Sequence, residues 1–425
     1  MTNNSLLQET LTASLKQKSR AKWVANFAKS QILKNLRQLK LGQLKIIDGN
    51  EVYRFTSNGN DEISATIYVH DARFYGEIAF GGSIGAGEAY MLGYWTADNL
   101  TDVIRIMCVN QTVMDTLEGG YQWLTKPFMK ILHWLNSNTA EGSRKNIAAH
   151  YDLGNEMFAL FLDPTMMYSS AMFNADTHNL QAASELKLKT ICDKLDLKPS
   201  DHVVEIGTGW GGFAIYAAKH YGCKVTTTTI SKQQYELAIE RVSNAGLVGE
   251  VTLLLEDYRH LQGQFDKLVS IEMVEAVGYQ FYDTYFAKVA SLLKPDGLAL
   301  IQAITISDQR YETAKSSVDF IQRYIFPGSC IPSNTAMLNS VTNNSDLRLF
   351  DLEDIGPHYA TTLSLWRDNF FANIQKIRTL GYSEEFIKMW DFYFCYCEGG
   401  FKERALGDVH LLLAKPSNRR AVLAA

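Results

Sequence analysis

The sequence lacks a membrane-spanning apolar run and lacks any cysteine pattern typical of a disulfide framework or a zinc site. Its 425 residues include six cysteines and nine histidines, with no CxxC pair and no histidine cluster at zinc spacing. This pattern predicts reduced thiols in a cytosol and no metal site. No stretch reaches the roughly 18 apolar residues of a membrane span, and the polar start MTNNSLLQET is followed by no signal-type apolar core. We therefore expect a protein that is soluble or peripheral to a membrane.

A general excess of positive charge is also absent. The formal net charge is −5 and charged residues make up 20% of the chain, so nothing in the charge balance indicates a nucleic-acid partner. Residues 1–45 differ from the rest, because they carry nine Lys or Arg residues and one acid, Glu9. A basic arm on an acidic chain suggests an anionic partner surface such as a membrane.

The length and the 46% hydrophobic content predict two domains. Helical periodicity in the first forty residues, followed by period-two runs over 42–85, predicts an N-terminal α+β domain over 1–120 that could dock on lipid. The turn Asp48-Gly49-Asn50 between two of these runs predicts a hairpin. Residues 121–145 form a predicted connector with Trp123 and Trp134, which suit a lipid interface and a domain contact equally well. Residues 146–425 are then predicted to form a second, larger domain.

Strand-like and helix-like segments alternate in this second domain. The runs VVEIGTG, CKVTTTTI, FDKLVSIEM and LALIQAITI predict strands, and WGGFAIYAAKHYG and SKQQYELAIERVSNAG predict helices between them. The alternation predicts an α/β fold with a doubly wound, mostly parallel sheet. Ligands of such sheets bind beyond the carboxyl ends of the strands. Glu275 and Gln302 are expected there.

A glycine-rich turn after the first of these strands predicts a cofactor site. Glycines 207, 209 and 211 let the backbone pass close to a ligand at a helix N-terminus. A dinucleotide site would need an acid about 20 residues further on, whereas the next strand ends in TTTTIS, which argues against NAD. The E-x-G-x-G-x-G pattern, the strand ending at Thr229 and the later Glu256-Asp257-Tyr258 resemble class I S-adenosylmethionine-dependent methyltransferases.

Further motifs resemble the cyclopropane-fatty-acyl-phospholipid synthase family, which includes the mycolic acid cyclopropane synthases. They are HYDLGN from 150, DPTMMYSSAMF from 163, TISKQQ from 229, YIFPG from 324, HYATTL from 358 and CYCEGGF from 395. The resemblance covers about residues 60–415. It implies an enzyme at the inner, cytoplasmic face of a membrane. Such an enzyme transfers a methyl group from S-adenosylmethionine to the cis double bond of an unsaturated phospholipid acyl chain, which closes to a cyclopropane.

Three alternatives stay open at this point. The same double bond could give a methyl- or methylene-branched chain, or the methyl group could go to a soluble small molecule. The third is a lipid-binding protein that has lost catalysis, although the intact glycine loop and Glu275 argue against it. A homodimer would be unsurprising for such a family, although nothing in the sequence demonstrates one.

The resemblance also implies site residues. The cofactor-binding positions are Tyr168, Ser169, Glu205, Gly207, Gly209, Gly211, Thr229, Gln234, Tyr258 and Arg259. The catalytic positions are Glu275, Gln302, Tyr359 and Cys397. In the family a bicarbonate ion serves as the base that removes a proton from the added methyl group. Its matching partners are Ser170, Glu275, Gln302, the backbone at Ile304, and Tyr359. Cys397 could equally be a buried small hydrophobic residue.

The sequence departs from the family pattern around the predicted ion. Ser170 stands where cysteine is common, and Ala276 and Gln302 stand where histidine is common. Glutamine can donate a hydrogen bond to an anion, but it cannot carry a proton as imidazole does. Weaker ion binding could redirect the proton loss and give a methyl- or methylene-branched chain in place of a cyclopropane. Glu272 matches no motif position and is expected to be a structural partner of the site.

Overall fold

The computed structural model describes residues 26–56, 63–111, 113 and 154–420. The chain divides into two compact units, one made of Met1–Phe128 and Ser383–Gly399, the other of Met129–Tyr382 and Gly400–Ala425. The sequence pattern assigns all of 146–425 to one domain, whereas residues 383–399 belong to the smaller unit in the structure. The predicted connector over 121–145, with both of its tryptophans, lies outside the described residues, as does most of the basic arm.

The smaller unit contains a four-stranded sheet in the order β2-β1-β3-β4. Its strands are β1 Gln43–Asp48, β2 Glu51–Thr56, β3 Ser64–Val69 and β4 Trp95–Ala97. Strands β1 and β2 form an antiparallel hairpin, which confirms the turn predicted at Asp48-Gly49-Asn50. Gly49 has a φ of 57°, a value that glycine adopts without a side-chain clash.

Helices complete the smaller unit. They are residues 26–36, Arg73–Met91, Leu100–Val109 and the helix Glu384–Lys402, most of which belongs to this unit. The Thr101 hydroxyl donates to Glu398 at 2.8 Å, and the Tyr90 hydroxyl donates to Asp391 at 2.6 Å. These contacts join the helix Glu384–Lys402 to the N-terminal part of this unit. They also pair two buried carboxylates, which would be costly to leave without a partner.

The larger unit contains a seven-stranded sheet in the order β10-β11-β9-β8-β5-β6-β7. Its strands are β5 His202–Ile206, β6 Lys224–Thr229, β7 Val251–Leu255, β8 Phe265–Ile271, β9 Leu293–Ile306, β10 Arg348–Asp354 and β11 Leu406–Ala414. Strands β7, β6, β5, β8 and β9 pair in parallel, and β11 is antiparallel to both of its neighbours. The predicted α/β fold with a mostly parallel sheet is therefore confirmed.

Helices and short helical turns accompany this sheet. They are Asn155–Ala159, Leu180–Lys194, Gly212–Tyr221, Lys232–Asn244, Tyr258–His260, Val274–Val277, Tyr279–Phe281, Tyr282–Ser291, Asp308–Lys315, Ile321–Ile325, Asn334–Asn344, Gly356–Ala372 and Ile374–Thr379. Successive strand residues alternate between two apolar clusters: Val203 and Leu300 lie in one, Val204 and Ile301 in the other. Both faces of the sheet are thus buried, which leaves its strand ends for ligands.

Within the described residues, no helix is both long enough and apolar enough to cross a membrane. All six cysteines lie in this part of the chain, and none of them forms a disulfide bond there.

Candidate active site

The glycine loop, residues 207–211, connects the end of β5 to the helix Gly212–Tyr221. Gly207, Gly209 and Gly211 have φ values of 99°, 51° and 84°, a region that favours glycine. A Cβ at Gly207 would overlap the side chain of Met273, which follows β8. At Gly209 no atom lies within 4 Å of the position that a Cβ would occupy. The loop is therefore packed on one side and open at Gly209.

Two buried polar groups at the carboxyl ends of β5 and β7 have no hydrogen-bond partner in the described part of the chain. They are Oε2 of Glu205 in β5 and the hydroxyl of Tyr258 after β7. Burial raises the pKa of Glu205 to about 8 and that of Tyr258 to about 12. Unsatisfied buried polar atoms are costly unless a ligand pairs them. With the open Gly209, they fit a ligand that carries hydroxyl, amino and carboxylate groups, as S-adenosylmethionine does.

The other predicted cofactor positions are arranged around these strand ends. Thr229 closes β6, and its hydroxyl donates to the side chain of Gln234 at 2.9 Å. Arg259 donates to both carboxylate oxygens of Asp257, at 2.8 and 2.6 Å. This bidentate pair joins the two neighbours of Tyr258 in the chain and so stabilises the turn after β7 that carries it.

Tyr168 and Ser169 lie in the segment between the helices Asn155–Ala159 and Leu180–Lys194. The half-buried Tyr168 ring lies 5.2 Å from those of Phe158 and Trp366 and 6.2 Å from that of Phe326, measured between centroids. The Ser169 hydroxyl accepts a hydrogen bond from Lys187 at 2.6 Å. Tyr168 is thus part of an aromatic wall, while Ser169 is tied to a buried cation.

A second group of side chains, the acid cluster, gathers where the end of β8 lies beside β9 and β11. It consists of Glu272, Glu275 and Asp408 with Gln302, Tyr359, His410 and Lys187. Glu272 accepts hydrogen bonds from the Ser170 backbone at 2.8 Å, from Gln302 Nε2 at 2.9 Å and from the Tyr359 hydroxyl at 2.8 Å. Three groups predicted to surround a bicarbonate ion therefore donate to the Glu272 carboxylate. The Ser170 hydroxyl itself donates to the backbone of Ala171.

Glu275 lies in the short helix Val274–Val277. One of its carboxyl oxygens accepts a hydrogen bond from the backbone of Ile304, and the other, Oε2, has no partner among the residues described. Burial and the neighbouring Glu272 raise the pKa of Glu275 to about 8. This raised pKa favours the protonated form of Glu275 at neutral pH.

Gln302 bridges two carboxyl groups. Its Nε2 also donates to Asp408 at 2.9 Å, and its Oε1 lies 3.4 Å from Nε2 of His410. Burial keeps the pKa of His410 well below its usual value, so the neutral ring can donate from Nε2. Burial and the charge of Glu272 raise the pKa of Asp408 well above its usual value. The amide of Gln302 is thus oriented by β11, its partner strand.

Lys187 is the buried cation of the cluster. It is 0% exposed on the helix Leu180–Lys194, and burial lowers its pKa to about 8 against the opposing effect of Glu272 and other carboxylates. The sequence analysis missed Lys187, Asp408 and His410. Spacing carried a signal for all three, because Lys187 shares a helical face with Ala183 and Ile191, and Asp408 and His410 share one face of an apolar strand.

Cys397 is half-buried in the helix Glu384–Lys402, in the segment that belongs to the smaller unit. Its predicted catalytic role stays a prediction. The remaining predicted residues lie in the larger unit, and the glycine loop and the acid cluster meet there where Gly207 packs on Met273.

The chain matches a family model described as mycolic acid cyclopropane synthetase over residues 138–411. Cyclopropane-fatty-acyl-phospholipid synthase of Escherichia coli strain K12 is 39% identical over 348 residues, which cover 81% of this chain and 86% of that protein. Tuberculostearic acid methyltransferase of Mycobacterium tuberculosis is 38% identical over 336 residues, with coverages of 77% and 78%.

Solved structures agree with these relatives. The cyclopropane synthase MmaA2 from Mycobacterium tuberculosis has a TM-score of 0.59 at 27% identity, covering 64% of this chain and 98% of that chain. The mycolic acid cyclopropane synthase CmaA1, solved in complex with SAH and CTAB, has a TM-score of 0.58 at 28% identity with the same coverages. The chain therefore belongs to the cyclopropane synthase family and is an S-adenosylmethionine-dependent methyltransferase of the cyclopropane-fatty-acyl-phospholipid synthase type.

Proposed function

We propose that this enzyme methylates the cis double bond of an unsaturated acyl chain on a membrane phospholipid and closes it to a cyclopropane. The observation that carries the proposal is the pairing of two features at adjoining strand ends. One is a glycine loop that is open at Gly209, and the other is a buried acid cluster around Glu272. A relative named for this reaction is 39% identical over 86% of its length.

S-adenosylmethionine, when bound, supplies an electrophilic methyl group. An alkene is a weak nucleophile, so the protein's first task is to hold the two reactants in line. The glycine loop, Glu205 and Tyr258 would hold the cofactor, since they offer an open backbone and two unpaired polar atoms. Thr229, Gln234 and Arg259 support them from the neighbouring strand ends.

Methyl transfer leaves a positive charge on the acyl chain, and water must be kept away from it. Aromatic faces stabilise such a charge by cation–π attraction. Tyr168 is suited to this role, because its ring is surrounded by those of Phe158, Phe326 and Trp366. The second task, removal of a proton from the added methyl group, requires a base. The acid cluster supplies the carboxyl groups for it, with Glu275, Gln302 and Tyr359 as proposed participants.

The substrate lies in a bilayer, so we place the enzyme at the inner face of a membrane as a peripheral protein. Two features support this placement. The described residues contain no membrane-crossing helix, and residues 1–45 carry nine basic side chains against one acid. Anionic lipid headgroups attract such basic segments.

The test is mass spectrometry of the fatty acids after incubation of purified protein with S-adenosylmethionine and liposomes of a cis-monounsaturated phospholipid. The expected product gains one methylene unit, has no double bond and fragments as a ring. Liposomes of the matching saturated lipid serve as the control. A product with a branch or a retained double bond would favour the alternative of a branched chain, and no gain on any lipid would point to a soluble substrate.

A further inference from the structure

We propose that Glu272 is the base of the ring-closing step and takes the place of the bicarbonate ion that the family resemblance implies. The inference rests on the proposed function and deepens it, because it names the group that accepts the proton. Glu272 matches no family motif in the sequence, and its surroundings in the structure indicate its role.

The donors of the predicted ion site are already used. The Ser170 backbone, Gln302 Nε2 and the Tyr359 hydroxyl donate to the Glu272 carboxylate at 2.8, 2.9 and 2.8 Å. An ion bound to the same three groups would have to displace this carboxylate and then lie beside it. Two neighbouring anions repel each other strongly in a buried site. The residues present therefore do not fit a bicarbonate ion.

A glutamate carboxylate and a bicarbonate ion present the same acceptor. Each has a planar CO₂⁻ group with two oxygens, and they differ in the third substituent of the carbon, a CH₂ in glutamate and an OH in bicarbonate. Three donors arranged around two oxygens suit either of them. Glu272 thus supplies, from the chain itself, the anion that the donors require.

The backbone at Glu272 supports a functional role for its position. Its φ is 49°, in the left-handed region that glycine favours, directly after the end of β8. This conformation costs a non-glycine residue roughly 1 kcal/mol or more, and such residues cluster at functional sites. The peptide is fixed by the Glu272 backbone N–H, which donates to the Gln302 carbonyl at 2.8 Å.

The surrounding charges favour an ionised Glu272. Its two backbone and amide donors can only donate, so they satisfy a carboxylate better than a carboxylic acid. Burial raises the pKa of Glu272, while Lys187 and hydrogen bonds with Ser170, Tyr359 and Asp408 oppose that effect. Burial and neighbouring carboxylates raise the pKa of Glu275 to about 8 and that of Asp408 well above its usual range, which favours their neutral forms. Lys187 is then the buried cation that faces the Glu272 carboxylate. A buried base with a raised pKa is the better proton acceptor.

The step balances without a further reactant. The double bond gives its π electrons to the methyl carbon, and the sulfur–methyl bond breaks with its electron pair left on sulfur. A carboxylate oxygen of Glu272 then removes one hydrogen of the added methyl group as a proton. The electrons of that C–H bond form the second carbon–carbon bond of the ring. Glu272 ends neutral and loses the proton to water before the next turnover.

The departures from the family pattern fit a built-in anion. Ser170 contributes its backbone N–H, so this contact requires no particular side chain. The Ser170 hydroxyl donates to the Ala171 carbonyl instead. Gln302 uses one amide nitrogen to donate to both Glu272 and Asp408, which a single imidazole N–H cannot do.

The experiment compares the wild type with Glu272→Gly and Glu272→Gln in CO₂-free buffer and in added bicarbonate. Wild-type turnover on liposomes should be equal in both buffers. Glu272→Gly should lose about 100-fold or more without bicarbonate, the usual scale of general-base catalysis, and recover about tenfold or more with it. Glycine suits the φ of 49° and frees the three donors for the ion. Glu272→Gln should stay inactive in both buffers, because the amide still fills the space.

A binding measurement separates this inference from the proposed function. Carbon-13 NMR of labelled bicarbonate should show binding to Glu272→Gly and none to the wild type, whatever lipid is used. Affinity for S-adenosylhomocysteine, measured by calorimetry, should stay within a few-fold in all variants and so verify folding. Glu275→Gln is the matched control, because it removes a carboxyl group that accepts no hydrogen bond from the three donors. Added bicarbonate should not raise the turnover rate of this variant.

Bicarbonate binding to the wild type, or wild-type turnover that requires bicarbonate, would overturn the role of Glu272. So would a Glu272→Gln variant with full activity. Failure of the wild type to modify any lipid, with the NMR result as expected, would instead overturn the proposed substrate while leaving the built-in anion in place.

Discussion

The glycine loop and the acid cluster lie side by side at the carboxyl ends of β5 and β8, yet they are built in opposite ways. The loop is one short segment, and its shape follows from the positive φ values of three glycines. The cluster draws its groups from residues near 170, 187, 272, 302, 359 and 408. The backbone-built site should fail when a single glycine is replaced, whereas the loss of one donor to Glu272 in the cluster should reduce turnover only in part.

The largest effect is expected for Gly209→Val. Nothing lies within 4 Å of the Cβ position in the protein, so a side chain would occupy the space left for the cofactor and would be strained at a φ of 51°. We expect affinity for S-adenosylhomocysteine, measured by calorimetry, to fall about 100-fold or more, which corresponds to about 3 kcal/mol.

Gly249→Val is the matched control for that variant. Gly249 also has open space around its Cβ position, but it carries no positive φ and lies before β7, away from the loop. The affinity of Gly249→Val for S-adenosylhomocysteine should equal that of the wild type. Unimpaired binding in Gly209→Val would mean that the cofactor does not approach the loop there.

Tyr359→Phe should act on turnover and spare cofactor binding. The variant removes one of three donors to Glu272 but keeps the ring stacked on Phe401, with centroids 4.5 Å apart. A hydrogen bond to a charged group contributes about 1.5–3 kcal/mol, so kcat should fall roughly 10- to 100-fold. Equal losses in kcat and in S-adenosylhomocysteine affinity would contradict the separation of the two regions.

Glu205, at the end of the strand that leads into the glycine loop, and Glu275 in the acid cluster are buried carboxyl groups that make stability depend on pH. The pKa values of Glu205 and Glu275 are raised from 4.5 to about 8, so between these values the folded state holds more protons than the unfolded state. The free energy of unfolding should therefore fall as pH rises through this window, by up to about 1.4 kcal/mol per pH unit for each group. Lys187, whose pKa is lowered from 10.5 to about 8, acts in the opposite direction and only above pH 8.

Urea unfolding at several pH values checks this expectation. Glu275→Gln and Glu205→Gln should each make the free energy of unfolding depend less steeply on pH, because an amide does not titrate. Each reduction should equal about the contribution of one carboxyl group. An unchanged slope in either variant would show that its carboxyl group is not the one that holds the extra proton.

The smallest effect is expected for Ser170→Ala. Ser170 donates to Glu272 through its backbone, and its hydroxyl reaches only the carbonyl of Ala171 in the contacts described. We expect kcat to change about twofold or less, equivalent to under about 0.5 kcal/mol. A tenfold loss would show that the hydroxyl takes part in the reaction.

Short contiguous patterns determined the parts that sequence analysis predicted correctly. The alternation of strand and helix predicted the α/β sheet, and the hairpin at Gly49 followed from its turn residues. The glycine loop was readable because its constraint is local: glycine is the residue that adopts those φ values without strain. The absence of an acidic residue after the next strand argued against a dinucleotide site at this loop.

Only the tertiary structure decided which carboxylate receives the donors. Glu272 follows β8 with a positive φ that the neighbouring residue types do not predict. Gln302 contacts Asp408 because the register between β9 and β11 brings them together. The assignment of residues 383–399 to the smaller unit depends likewise on distant contacts such as Thr101 with Glu398. Local patterns fix backbone shape, but the balance of buried charge depends on which distant side chains meet, and that is settled only when the chain is folded.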